Sequence, residues 1–507
     1  MLFKRRPSAS SSMPPYNSSR PWPMTIVSQA DWSVLAHKLS EGLFNLLSLW
    51  SDGRFVFMAL RSTEGHKIEL FGLHCPHGNF PSVGRLHPPA IRLERAVKDL
   101  YGLTPEGSPD PRPWLDHGRW GVRHPQGHCE SLSSQCEPYL FLEAKGEPLH
   151  QIQVGPVHAG IIEPGHFRFS ANGEVVVRLE ERLGFVHKGI GALMEGCAIE
   201  GGAKLAGRIS GDSTVAYSFA FALAVEAAIG VEAPERASVL RVLMAELERL
   251  ANHFGDIGAI CNDIAFPLMN GQCAVVREKI LRAADACFGH RLMMDQIIPG
   301  GVRSDLTEDG IHHIRTVIEY IHSLLPRLIS LYGDTVSVQD RTVTTGVVGR
   351  ELAEQYAAGG FIGRASGRIF DARVELAYSY YAKLLFDIGH AIEGDVDARV
   401  WVRFDEIKAS VKLIDQLLGI QVSGPIAVDL PLNNVDQADG AALVEGFRGD
   451  VFSWVRLGKD GKIKNCHMRD PSWFQWPLLE NAIKGNIVAD FPVCNKSFNC
   501  SYSGHDL

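Results

Sequence analysis

The chain reads as an α+β protein, with a small N-terminal α/β domain fused to a mainly helical body that carries a peripheral β-rich region. Three observations predict this class. Apolar strand-like runs separated by turn residues cluster before residue 101, and from Thr214 onward apolar residues recur at helical spacing. Between these regions, Leu115–Pro148 is dense in His, Pro, Gly, Ser and Gln and has no period. At 507 residues the chain exceeds what a single hydrophobic core usually organises.

Residues 1–30 are expected to be disordered, because Met1–Pro23 is rich in Ser, Pro and Arg and lacks apolar periodicity. Lys4-Arg5-Arg6 precedes no apolar h-region, so a secretory signal is not predicted. Residues 31–120 form the α/β domain. Phe55–Leu60 and Lys67–Leu73 read as strands, and Pro89–Leu100 reads as a helix with Ile91, Leu93, Ala96, Val97 and Leu100 on one side and Gly102 as its cap. Residues 121–150 are assigned as a linker. His124, His128, Cys129 and Cys136 fall around it at spacings that match no standard metal site. Residues 151–507 form the body. It begins with a hairpin over Gln151–Leu179 that turns at Ala171-Asn172-Gly173. Helices follow over Thr214–Gly230, Pro234–Ile260, Gln272–His290, Glu308–Tyr332, Ala372–Ile392 and Phe404–Leu418, with a β-rich end from Val451. Val215–Val231 is the most apolar run, but it contains Glu226 and is short for a span, so it reads as a core helix.

The composition, 45% hydrophobic and 21% charged, is ordinary for a globular protein. A formal charge of −8 gives no electrostatic case for nucleic-acid binding. Ten cysteines without one Cys-x-x-Cys pair argue against a disulfide scaffold, a zinc ribbon or an iron–sulfur cluster held by this chain alone. Gly359-Gly360-Phe361-Ile362-Gly363 lacks the strand–loop–helix setting of a nucleotide loop. His74-Cys75-Pro76-His77 reads as a surface turn, Arg364–Arg368 as a structural turn, and the charges from Glu393 to Lys412 as a solvated helix face.

A set of short motifs runs through the chain. They are Glu94–Leu103 with Asp110-Pro111-Arg112-Pro113; Gly155-Pro156-Val157-His158 with Glu163–Arg168; Gly184–Ile190; Arg208-Ile209-Ser210-Gly211-Asp212-Ser213; Glu246-Leu247-Glu248-Arg249-Leu250-Ala251-Asn252-His253; and Pro299-Gly300-Gly301-Val302. In this order, residues 151–507 resemble the large subunit of membrane-bound nickel–iron hydrogenases of the formate hydrogenlyase and hydrogenase-4 component G type. They also resemble the 49-kDa-type core subunit of respiratory complex I, and residues 31–120 resemble its 30-kDa-type subunit. Arg208–Ser213 resembles the hydrogenase motif R-x-C-G-x-C with serine at both cysteine positions. A hydroxyl is a hard, weakly acidic ligand and a poor replacement for a bridging thiolate.

The resemblance implies site residues. Ser210 and Ser213 stand at the first ligand pair, and Ser497 and Cys500 are the expected second pair. One thiolate of four argues against a nickel–iron centre. Glu163 is expected as a proton-relay carboxylate, and Asp263 falls at the aspartate position of the complex I quinone pocket. The family's quinone-binding tyrosine position falls at Gly211 and its histidine position near Ile162. Arg208 and His253 are expected to face an iron–sulfur cluster in a partner subunit. The resemblance further implies an iron–sulfur small subunit, antiporter-like and quinone-site membrane subunits, and a peripheral place on the cytoplasmic side of the inner membrane. It implies an NADH:quinone-oxidoreductase-related setting with electron transport and proton translocation; no residue pattern marks a nicotinamide site. Two alternatives stay open: a non-catalytic scaffold that couples to an ion-translocating partner, and an active hydrogenase.

Overall fold

The computed structural model describes residues 19–131, 138–146, 148–158, 160, 162–432 and 438–507. The first sheet has four strands in the order Met24–Val27, Ile68–His74, Phe55–Ser62, Phe44–Ser51. The outer pair is parallel, with Met24 opposite Leu70, and the others are antiparallel, with Phe55 opposite His74 and Phe44 opposite Ser62. Met24–Val27 lies inside the segment expected to be disordered. Its apolar Met24 and Ile26 have an open sheet edge to pair with, and edge pairing outweighs the Pro and Ser content around them. Residues 1–18 lie outside the described residues, as does Cys136.

Two helices flank this sheet. Gln29–Ser40 starts at Ser28, whose hydroxyl accepts from Asp31 N at 3.2 Å. Ser28→Ala is expected to cost about 1 kcal/mol, read by chemical denaturation. Ile91–Tyr101 ends at Gly102, which takes φ 78°, a conformation that costs glycine nothing.

The small domain is built into the body. Trp50 packs against Phe452 and Trp454, with ring centroids 5.3 and 5.6 Å apart. Arg469 donates to Leu47 O at 2.7 Å, Arg456 donates to Asp52 at 2.5 Å, and Ser48 Oγ lies 2.7 Å from His467 Nε2. These groups reach the small domain from a second antiparallel sheet, Ala438–Gly446, Gly449–Leu457 and Ile463–Arg469. The hairpin expected over Gln151–Leu179 forms as His166–Asn172 and Val175–Arg182, joined by a third strand, His150–Val154.

The helical body centres on Thr214–Ile229 and the long Glu235–Asp263 helix. The stretch Gly211–Ile229 is long and apolar enough to cross a membrane, and it is 78% buried in the body. Its one glutamate, Glu226, is satisfied by Arg241 at 2.5 Å and by Gly300 N at 2.7 Å. Pro267–Phe288, Glu308–Gly333 and Val396–Gly419 pack around this pair. The helix expected over Ala372–Ile392 is instead a single turn, Ala372–Glu375, then a short 3₁₀ turn and extended chain. Ala377 and Ser379 have positive φ, and Tyr381 points inward to Glu246, so tertiary contacts outweigh the helical spacing. The chain end is also helical rather than β after Ile463–Arg469, with Ser472–Ala482, Phe491–Phe498 and Tyr502–Asp506.

The largest correction concerns Glu393–Lys412. Asp405, Lys408 and Lys412 are solvated, but Arg399, Arg403 and Glu406 are fully buried. Spaced three or four apart, they form one inward polar stripe. Glu406 meets His253 Nε2 at 2.7 Å, Arg249 at 3.3 Å and Arg364 Nε at 3.1 Å. Arg364 also donates to Glu445 at 3.0 Å, and Arg373 joins Glu246 at 3.1 Å and Asp371 at 2.6 Å. Tyr381 and Ser410 donate to Glu246 at 2.5 and 2.6 Å. Burial and the nearby Asp371 push the Glu445 carboxyl up, against the pull of Arg364.

Candidate functional site

The site is built where the Arg208–Ser213 loop meets the C-terminal segment. The loop leaves the Ile199–Ala206 helix and turns into Thr214–Ile229. Ser210 Oγ lies 3.0 Å from Ser501 Oγ and donates to Asp212 Oδ1 at 2.7 Å. Ser213 Oγ lies 3.2 Å from the same carboxylate oxygen. Arg448, from the tight turn between two strands of the second sheet, grips Asp212 with both Nη atoms at 2.8 and 2.5 Å and reaches Ser213 Oγ at 3.1 Å. Burial alone raises the Asp212 carboxyl, but the guanidinium and the two serine hydroxyls pull it down to about 2. Asn252 Nδ2 donates to Asp212 O at 2.7 Å and fixes the loop to the long helix.

Ser497 is engaged away from Ser210. Ser497 Oγ donates to Cys494 O at 2.6 Å and accepts from Arg399 at 3.0 Å. Cys500 is buried, and burial drives its thiol well up. The Phe491–Phe498 helix ends at Asn499, which takes φ 45°, and the turn brings Ser501 to the loop. Ser501 Oγ then accepts from Gly504 N at 2.9 Å. Ser501 and Gly504 repeat the three-residue spacing of Ser210 and Ser213, a signal that could have located them in the sequence. A Cβ on Gly504 would stand 2.5 Å from Asp470 Oδ2, so that position has no room for a ligating side chain. The groups facing one another are therefore three hydroxyls, one carboxylate and one guanidinium, a hard and cation-containing set that does not fit a thiolate-bridged metal pair. Arg448 had no motif to announce it.

The other expected residues are dispersed. Glu163 is exposed rather than pocketed and accepts from Ser503 N at 3.1 Å, two residues from Ser501. Lys188 lies near it, and its ammonium donates to Arg208 O at 3.1 Å and Ile209 O at 2.6 Å. Asp263 lies at the C-terminal end of the long helix. Eleven residues separate it from Asn252, about 16 Å of helix at ~1.5 Å per residue, so it is outside this site. Burial raises its carboxyl, and Lys496 opposes the rise.

His253 is fully enclosed by Glu406, Phe361 and Phe447 and offers no face to a partner. Burial lowers its pKa against the pull of Glu406. Arg208 is exposed, its side chain 43% accessible, and pairs with Asp295 at 2.6 and 2.8 Å rather than with Glu246 or Asp212. Arg208→Ala is expected to change stability by less than about 1 kcal/mol in thermal denaturation, because an exposed ion pair is worth little. Glu163 and Lys188 thus lie near each other beside the start of the Arg208–Ser213 loop.

The family described as respiratory-chain NADH dehydrogenase, 49 Kd subunit, matches residues 271–441, and the 30 Kd subunit family matches residues 27–133. Formate hydrogenlyase subunit 5 of Escherichia coli is 30% identical over 84% of this chain and 77% of its own length. The fused C/D subunit of the NADH-quinone oxidoreductase of Phocaeicola vulgatus is 30% identical over 80% of each protein. The chain belongs to this family of fused hydrogenase-like and complex I-like core subunits. A solved structure of the membrane-bound sulfane sulfur reductase, an archaeal respiratory membrane complex, contains a chain that superposes with a TM-score of 0.67 at 27% identity, covering 71% of this chain and 98% of the other. The chain is thus a complex I-like, hydrogenase-4-like subunit of the oxidoreductase type.

Proposed function

We propose that this chain is the electron-transfer core of a membrane-bound respiratory oxidoreductase that works without a nickel–iron centre. The observation that carries the reading is the Asp212–Arg448 ion pair set among Ser210, Ser213 and Ser501. A cation sits where soft anionic ligands are needed, and the hydrogen-bonded set around it is built from oxygen and nitrogen groups. Electrons arrive from an iron–sulfur cluster of a partner small subunit docked on the face that bears Arg208. They pass to a quinone headgroup, or another small acceptor, seated between that face and the partner. The cleft beside Asp212 is only about 10 Å³, so the acceptor docks on the outer face, where Arg448 and the serine hydroxyls supply positive charge and donors behind it. Antiporter-like membrane subunits take up the released energy as ion movement, and the assembly sits peripherally on the cytoplasmic side of the membrane.

Metal analysis and cluster reoxidation test this on the purified complex. The expected result is no stoichiometric nickel, with a reduced partner cluster that quinone analogues reoxidise. Nickel at about one per chain would sink the metal-free reading. The small cleft favours a second reading, a scaffold without a redox substrate; a cluster that no quinone analogue reoxidises would select it.

A further inference from the structure

We propose that Glu248 is a proton donor to the acceptor site, connected to it through a small cleft that it shares with Asp212. This rests on the acceptor reading above and extends it to a residue that none of the motifs marked as chemical. Glu248 is buried on the Glu235–Asp263 helix, one turn before Asn252. Its carboxylate accepts from Val215 N at 2.7 Å and Ala216 N at 3.1 Å, the first free amides of the Thr214–Ile229 helix. Both Glu248 and Asp212 line a cleft of about 10 Å³, whose wall also includes the polar Asn252, Arg277 and Arg291 and is otherwise apolar, from Leu247 to Met293. That volume holds about one water, with polar partners on Glu248, Asp212 and Asn252. The cleft therefore places the buried carboxyl and Asp212 on one small space, which a single water would bridge.

Burial raises the Glu248 carboxyl to about 8 against the two backbone amides, Asp212 on the loop raises it further, and Arg249 on its own helix lowers it. Arg277, from the Pro267–Phe288 helix, and Arg291, from the turn after it, face the cleft, and Arg291 is held by Glu278 at 2.7 Å. Near neutral pH the group is thus protonated and ready to donate. The step balances simply. Two electrons, passed one at a time by the partner cluster, reduce the quinone to its hydroquinone, which takes up two protons: for one, the Glu248 O–H bond breaks, the cleft water relays the proton and an O–H bond forms on one quinone oxygen, and the other oxygen takes its proton from solvent. The carboxylate left behind is held by the Val215 and Ala216 amides at the positive end of a helix. It regains a proton from solvent. The same group sets a stability slope. From about pH 4.5, its ordinary value, to about 8, the folded chain binds a proton that the unfolded chain lacks, so stability falls as pH rises through that window, and Glu248→Gln flattens the slope.

The test uses the purified complex with a quinone analogue as acceptor. Glu248→Gln is expected to slow cluster reoxidation at least tenfold and to remove the rate decline of the wild type above about pH 8, while Glu248→Asp retains a pH-dependent rate. In infrared difference spectra, a protonated carboxyl band titrating near pH 8 is expected in the wild type and absent in Glu248→Gln. A glutamine variant with wild-type rates and an unchanged pH profile overturns the inference alone, as does a carboxyl band that survives the substitution. A wild-type complex whose reduced cluster no quinone analogue reoxidises overturns the acceptor reading and this inference together.

Discussion

Glu406→Ala is expected to destabilise the body by about 3–5 kcal/mol, a large part of the stability of a typical domain. One carboxylate serves three cationic or hydrogen-bonding partners: His253 at 2.7 Å, Arg249 at 3.3 Å, and Arg364 at 3.1 Å through Nε. All four side chains are essentially inaccessible to water. Removing the carboxylate leaves two guanidinium groups in a low-dielectric interior with backbone carbonyls, Glu246, Asp371 and Glu445 to share. The cost comes mainly from those stranded charges, and less from the lost attraction. The double substitution Glu406→Leu with Arg364→Met removes one charge of each sign and is expected to recover much of the loss. Chemical denaturation of the three proteins checks this. If the single variant unfolds at the wild-type midpoint, the network contributes little to stability.

The same network marks where sequence reading succeeds and where it stops. Helices with apolar residues at steady spacing, such as Glu235–Asp263 and Glu308–Gly333, are legible because one stripe faces the core. Arg399, Arg403 and Glu406 read as a solvated face because buried charge is rare and shows itself only when partners from distant segments converge. Those partners, Arg364, Glu445 and His253, come from three other elements, and no local pattern connects them. Within the site, Ser210 and Ser213 were readable through motif spacing. Ser501 is harder to find, because Ser497–Cys500, four residues earlier, has the same three-residue spacing as Ser501–Gly504. Arg448 and Asp212 were invisible as a pair: 236 residues separate them, and only the fold brings them together.

Breaking that pair gives the second large effect. Arg448→Ala is expected to slow acceptor reduction at least 100-fold, about 2.7 kcal/mol at ~1.36 kcal/mol per tenfold. The guanidinium is the counter-charge that holds the Asp212 carboxyl down to about 2; without it, burial drives that carboxyl upward and leaves the surroundings more negative. Asp470 lies close enough to Arg448 to raise its own pKa, so it also loses a nearby positive charge, whereas Asp256 keeps its ion pair with Arg403 at 3.1 Å. An acceptor gaining electrons gains negative charge, and a site stripped of its cation resists that gain. Arg448→Lys retains the charge but cannot make the two-pronged contact, so an intermediate rate is expected. Asp212→Asn combined with Arg448→Met restores neutrality and packing; it is expected to recover stability without recovering rate, which separates the electrostatic role from a structural one. Stopped-flow reoxidation of the partner cluster reads the rates, and thermal denaturation reads the stabilities. Equal rates in Arg448→Ala and wild type would remove this site from the electron path, whatever the fold's resemblance to its relatives.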